Sequence, residues 1–407
     1  MGGGRPLEMS PSIRLTRLEF SGSLGDLGTL IPLAVGMIVI NGLSPSGLFF
    51  SVGLYYILSG LYFGVTVPVQ PMKVIGAYAI AAGLSPAEIT ASGAIMALLL
   101  FLIGATEAAE RIGRFTPRSV VRGVQLSTGT LLMAQGVRFM AGTSRLQALH
   151  GSVEPYLTVQ SLGPLPLGLV IGVGGGFLTL LFLENRRFPA GLLVVLGGIL
   201  LGLLMGTHTG LNSLEIGLHL PRILPFGWPS KADFTVALLA LALPQVPMTL
   251  GNAVIAYTDL SHQYFGEDSR RVTYRSSCLS MSLANAVSFL LGGMPLCHGA
   301  GGLAAHYRFG ARTSGSNLFI GGLFILSALL MGGGVLAVVY LIPMGVLGVL
   351  LLFAGSQLAM TILDVRERAD LFLVLTMLGV TLASNLAAGF LAGLALAWLL
   401  RIPGIKV

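Results

Sequence analysis

The chain has 407 residues, of which 54% are hydrophobic and only 10% charged, with a formal net charge of +7. Soluble globular proteins carry about 25% charged residues, so an ordinary soluble enzyme is excluded. The 57 glycines follow no three-residue period, which excludes collagen. A membrane-spanning helix needs ~20 apolar residues, and the length holds about twelve to fourteen of them, as in a polytopic membrane protein.

Residues 1–19 form a Gly-rich, polar tail, placed on the cytoplasmic side, with no apolar leader and cleavage site. Apolar segments then predict spans over 24–41, 46–66, 71–84, 88–105, 119–138, 164–183 and 190–207. A second set covers 233–257, 272–292, 298–307, 315–333, 335–355, 369–382 and 383–400, with a turn at Ser384 and Asn385 between the last two. The expectation is an all-α polytopic membrane protein of about 14 spans, divided into repeats at 20–210 and 211–407. The stretches 139–163 and 258–271 are loop-sized, and no soluble domain is expected after Arg401.

Charge gives an independent reading of topology. Of 23 Lys and Arg, Arg138, Arg145, Arg222 and Lys231 fall outside and Lys73 falls within a span. The other 18 lie on the side of the N-terminus, as the positive-inside rule requires of cytoplasmic loops. Both termini are therefore expected in the cytoplasm, in the plasma (inner) membrane if the cell is bacterial. Cys278 and Cys297 lie in apolar stretches and suggest neither a disulfide framework nor a zinc site.

Two segments do not read as continuous helices. In Val65-Thr66-Val67-Pro68-Val69-Gln70-Pro71-Met72-Lys73, β-branched residues and Pro68 favour extended backbone, and Pro71 suits the first turn of a helix. The run Gly292–Gly302 repeats the form, with Pro295 five residues before Ala300 as Pro68 is five before Lys73. Interrupted segments at corresponding places in two halves mark the site of inverted-repeat transporters. Seven helices per half would set the half-helices face to face, each N-terminus offering free N–H groups and about +0.5 charge. With the Lys73 ammonium, the sum is about +2, which matches a divalent oxyanion. The plain alternative is that the prolines kink packed helices while Lys73 snorkels to an interface.

The sequences Val67–Lys73 and Met294–Arg312 resemble the two signature motifs of the molybdate transporter family, a branch related to the SulP sulfate permeases. The stretches 25–32 and 243–252 resemble it too, so the likeness covers nearly the whole chain. The resemblance implies a seven-plus-seven inverted repeat with core and gate domains, as in nucleobase and bicarbonate carriers. Many SulP members also carry a cytoplasmic STAS domain and form homodimers partly through it; no STAS domain is expected here. The eighth span lacks the acidic residue that nucleobase carriers and some bicarbonate carriers use, which argues against those substrates.

Candidate substrate-binding residues follow. Lys73 supplies direct charge, or pairs with Asp26, which is alternatively a proton-coupling carboxylate. Gln70 and Met72 belong to the first motif, with Gln70 at the helix cap. Thr29 and Gln245 are neutral donors on the first and eighth spans, or interhelical hydrogen-bonding groups. His298 adjoins the second half-helix, and Gly299, Ala300 and Gly301 offer backbone N–H groups and close approach. Arg308 and Arg312 are read as anchors, and Asn252 and Asn285 as helix glue. His298 and His306 without further ligands make no metal site, and no cofactor or nucleic acid is called for.

The function expected is secondary transport of molybdate, with tungstate or sulfate as further substrates, by alternating access in a lipid bilayer. A general sulfate permease or an anion channel on the same fold is the alternative, and a nucleobase-type carrier comes after these. No ATP motif appears. Paired carboxylates, a HExxH motif or an activated nucleophile are equally missing, so an intramembrane enzyme is not expected.

Overall fold

The computed structural model describes residues 13–25, 27–106, 108, 117–182, 190–206, 211 and 216–402. The chain is an integral, multi-pass membrane protein with an all-α fold and two broken half-helices. Among the described residues, five helical runs are long and apolar enough to cross a membrane: Pro45–Phe63, Pro86–Ala105, Lys231–Ser269, Gly315–Val339 and Met344–Asp364.

A short α1 (Arg17–Ser23) leads into α2 (Leu27–Val39) and α3 (Pro45–Phe63). Ser44 caps α3, Pro45 takes its first position, and Gly64 ends it at φ 78°. The first half-helix, α4 (Lys73–Ala82), follows an extended run. A capping box of Ser85 and Glu88 then starts α5 (Pro86–Ala105). Next come α6 (Arg118–Ala141), a short α7 (Arg145–His150), α8 (Leu167–Phe182) and α9 (Ala190–Met205).

Residues 231–265 form one helical run, α10. It widens into π-helix at Ala237–Ala242 and Thr249–Ile255, on either side of Pro244 and Pro247. Proline has no N–H and its ring crowds the preceding turn; a wider turn accommodates both. The chain continues through α11 (Tyr274–Leu291), the second half-helix α12 (Ala300–Arg308), α13 (Gly315–Met331) and a short α14 (Val335–Val339). It closes with α15 (Met344–Ala359), α16 (Arg368–Ala383) and α17 (Leu386–Leu399), the last capped by Asn385.

The structure departs from the sequence expectation in three places. The span expected over 335–355 begins at Met344, because Gly332 (φ 50°) and Pro343 break the apolar run on either side of α14. The stretch 139–163 is not a plain loop: it holds the end of α6, α7 and the first strand of a hairpin, β2 (Ser161–Leu162) with β3 (Leu165–Pro166). The span expected over 233–257 continues helically to Phe265.

Helices pack in matched pairs: α3 against α13, α11 against α5, and α6 against α15. Glycines bring the axes close. A Cβ on Gly53 would sit 2.6 Å from Gly321 O, and Cβ atoms on Gly129 and Gly136 would sit 2.5 Å from Gly355 O and Gly348 O. Small residues at facing positions are how helices associate in lipid, where there is no hydrophobic drive between them.

Glu154, between α7 and β2, is 1% exposed, and its carboxylate accepts from Met344 N (2.6 Å) and Gly345 N (3.0 Å) at the start of α15. Burial pushes Glu154 up to about 7 from its ordinary value near 4.5, opposed by the two N–H groups that favour the anion. The folded chain thus holds a proton there that the unfolded chain releases, so stability falls as pH rises from about 4.5 to about 7. Replacing the carboxylate by an amide, Glu154→Gln, removes this component. Thermal unfolding in detergent is expected to show a shallower loss of stability over that window in the variant, and identical slopes would refute the assignment.

Candidate anion-binding site

The extended runs cross in the interior, and their pairing positions the site. β1 (Gln70–Pro71) pairs antiparallel with β4 (Leu296–Cys297), Gln70 opposite Cys297, and Met72 N donates to Pro295 O at 2.9 Å. Non-helical backbone at membrane depth needs protein partners for its polar groups. Asn317 on α13 clamps the first run, accepting from Val67 N (2.9 Å) and donating to Val67 O (2.7 Å). Asn285 on α11 does the same for the second, accepting from Leu296 N (3.0 Å) and donating to Leu296 O (2.7 Å).

His298 belongs to this scaffold. Its Nδ1 lies 3.1 Å from Pro68 O, and a carbonyl can only accept, so Nδ1 carries the proton. Nε2 then accepts from Tyr55 OH at 2.8 Å, with Ser280 Oγ at 3.2 Å, and the ring stacks on Tyr257.

A cavity of ≈ 510 Å³ lies beside the half-helix starts. Its lining includes Thr29, Gln70, Lys73, Asn252, Gly301 and Arg308 from α2, β1, α10 and the half-helices, and Gln125, Leu350, Phe353, Gln357 and Thr361 from α6, α15 and the residues after it. Four residues expected from the sequence therefore line the cavity: Thr29, Gln70, Lys73 and Gly301. Met72, Gln245, His298, Gly299 and Ala300 do not line it, and Asp26 lies outside the described residues. Lys73 opens α4, and among the described residues no carboxylate lies within 4 Å of it.

The two half-helix starts differ. At α4, Gln245 Oε1 from α10 accepts from Val74 N (2.9 Å) and Ile75 N (3.3 Å), while its Nε2 donates to Thr249 Oγ1 (2.9 Å). That N-terminus is capped by protein. At α12, the cap position is Gly299, which has no side chain. A Cβ there would overlap Gln70 Oε1, whereas a Cβ on Gly301 would meet nothing within 4 Å. Gly301 faces open cavity, and the α12 start can be approached through it.

Gln125, Gln357 and Thr361 carried no signal in the sequence, because isolated polar residues on long apolar helices belong to no motif. Arg308 was read as an anchor, and the structure places it on the cavity wall. No group of three His, Cys, Asp or Glu residues able to hold a metal exists among the described residues.

Two glycine substitutions separate packing from cavity access. Gly299→Ala is expected to destabilise by ~1–3 kcal/mol through overpacking against Gln70, and Gly301→Ala to stay within about 0.5 kcal/mol of the unsubstituted chain. Thermal unfolding of both in detergent checks this; equal losses would mean that Gly301 is not open to the cavity.

Comparison with known proteins gives a consistent result. A family model described as "Molybdate transporter of MFS superfamily" matches residues 18–132 and 237–358. Molybdate transporter 2 of Arabidopsis thaliana is 33% identical, over 94% of this chain and 87% of its own. Molybdate transporter 1 of Chlamydomonas reinhardtii is 31% identical, over 94% and 91%. Among solved structures, the transmembrane domain of a cyanobacterial bicarbonate transporter superposes with a TM-score of 0.66 at 16% identity, covering 94% of this chain and 98% of that one. The murine Solute Carrier 26 family member A9 anion transporter, in an inward-facing state, gives 0.65 at 14%, covering 94% and 68%.

Proposed function

Because this chain belongs to the molybdate transporter family, we propose that it is a secondary carrier of tetrahedral oxyanions, molybdate first among them, working by alternating access. The observation that carries this reading is Lys73. It stands at the start of a half-helix inside the membrane fold, faces a ≈ 510 Å³ cavity, and has no carboxylate within 4 Å among the described residues. An ammonium at membrane depth costs about 2.5–3.5 kcal/mol even on lenient scales, and an anionic substrate offsets that.

The relatives matched over most of their length are named as molybdate transporters, which favours molybdate over other dianions of the same shape. In this reading Lys73 gives the charge, Gln70 and Thr29 give neutral donors, and the open α12 start gives backbone N–H groups through Gly301. Gln245, Gly299 and His298 hold the half-helices in place. The pairing of α3 with α13 and of α11 with α5 is what two inverted repeats at 20–210 and 211–407 would produce, and it supports that division. In the same reading α6, α8, α9 and α15–α17 act as the gate, and the arginine-rich loops face the cytoplasm.

Uptake of labelled molybdate into proteoliposomes tests the proposal, with excess sulfate as competitor and an imposed pH gradient. Saturable uptake that resists sulfate is expected, together with its loss in Lys73→Ala while the variant remains folded. Uptake by Lys73→Ala at the level of the unsubstituted chain would sink the charge argument. Abolition by sulfate would make the site a general one for tetrahedral dianions.

A further inference from the structure

Gln125, on α6, lines the same cavity as Lys73 and is 5% exposed. Its Oε1 accepts from Arg122 Nη1 at 2.7 Å, and Thr361 Oγ1 lies 3.0 Å away, its single proton shared between this oxygen and Leu358 O at 2.8 Å. A guanidinium has only donors, so Arg122 fixes the orientation of the amide: the oxygen faces Arg122 and the Nε2 hydrogens face away. Nε2 has no hydrogen-bond partner among the described residues. Arg122 is held in turn by Asp364, which Arg118 also contacts at 2.5 Å, so two positive groups surround one negative one behind the amide.

The volume points the same way. Cavities of about 300–1,000 Å³ take drug-sized ligands, and a tetrahedral oxyanion has only five heavy atoms. One anion at Lys73 therefore leaves most of the ≈ 510 Å³ open.

We propose that the Gln125 amide forms a second oxyanion subsite on the α6 lining of the cavity, which the substrate occupies on its way to or from the half-helix ends. The subsite rests on the oxyanion-carrier reading above. Arg122 and Thr361 are positioning residues for it, since they hold the amide oxygen and leave both Nε2 donors to the anion. It places one ligand on each of the two helix groups that border the cavity.

Uptake kinetics in proteoliposomes with molybdate as the probe test this through Gln125→Met, Gln125→Glu and Thr361→Val. Removing one hydrogen bond to a charged group is expected to raise KM about tenfold in Gln125→Met. Gln125→Glu should raise it further, and Thr361→Val less, with kcat changing less than KM in all three. The order is diagnostic. Glutamate keeps the oxygen that Arg122 and Thr361 hold, so a purely structural role would make Gln125→Glu the milder change, and that order would overturn the subsite. Should Gln125→Met fail to fold, Gln125→Glu and Thr361→Val are read in the same assay, and an unchanged KM in both overturns the proposal. If Lys73→Ala is inactive while every Gln125 variant keeps the unsubstituted KM, the subsite falls and the carrier reading stands. If the unsubstituted chain takes up no molybdate, both fall.

Discussion

The structure depends on one constraint: two stretches of extended backbone cross at membrane depth, where water cannot satisfy their polar groups. Four elements meet that demand together. β1 and β4 pair with each other, Asn317 and Asn285 each take an N–H and a C=O, and His298 donates to Pro68 O. The two asparagines come from different helices and His298 from the second run itself, so the crossing ties α11, α13 and both half-helices together. The starting points of α4 and α12 are fixed as a result, and with them the position of Lys73.

Much of this was legible in the sequence because prolines and glycines act locally. Pro68, Pro71 and Pro295 announced extended runs followed by helix starts, and the structure has them where the spacing put them. What escapes the sequence is which partner a polar residue meets far along the chain. Gln245 reads as a neutral polar group on a hydrophobic span; only the fold brings its oxygen to Val74 N and Ile75 N, some 170 residues away. Gln125 and Thr361 are separated by 236 residues and become a pair only when α6 packs on α15. The break at Pro343 was missed for another reason: the run 335–355 is apolar throughout, and hydropathy alone does not register a turn inside it.

The asymmetry between the half-helices changes the electrostatics expected of the cavity. Two free helix ends of about +0.5 each and one ammonium would sum to about +2. With the α4 end bonded to Gln245, that end contributes less, while Arg308 on the cavity wall is a cation that this sum leaves out. In the reading proposed above, an anion is drawn toward α12, where Gly301 leaves room for an oxygen to reach the backbone.

A ligand drives a conformational change only through contacts that differ between the two conformations. Within each helix group the packing is tight: Gly129 and Gly136 meet Gly355 and Gly348 backbone to backbone, and Gly53 meets Gly321. Interfaces of that kind are poorly suited to gradual deformation. The cavity, by contrast, is lined by groups from both helix groups: Lys73 and Gly301 from the half-helices, Gln125 and Thr361 from α6 and the turn after α15. An anion that bonds only one helix group would leave the distance between the groups indifferent to its presence. In the reading proposed above, one that bonds both is stabilised most when the two helix groups approach, and that difference would couple occupancy to closure.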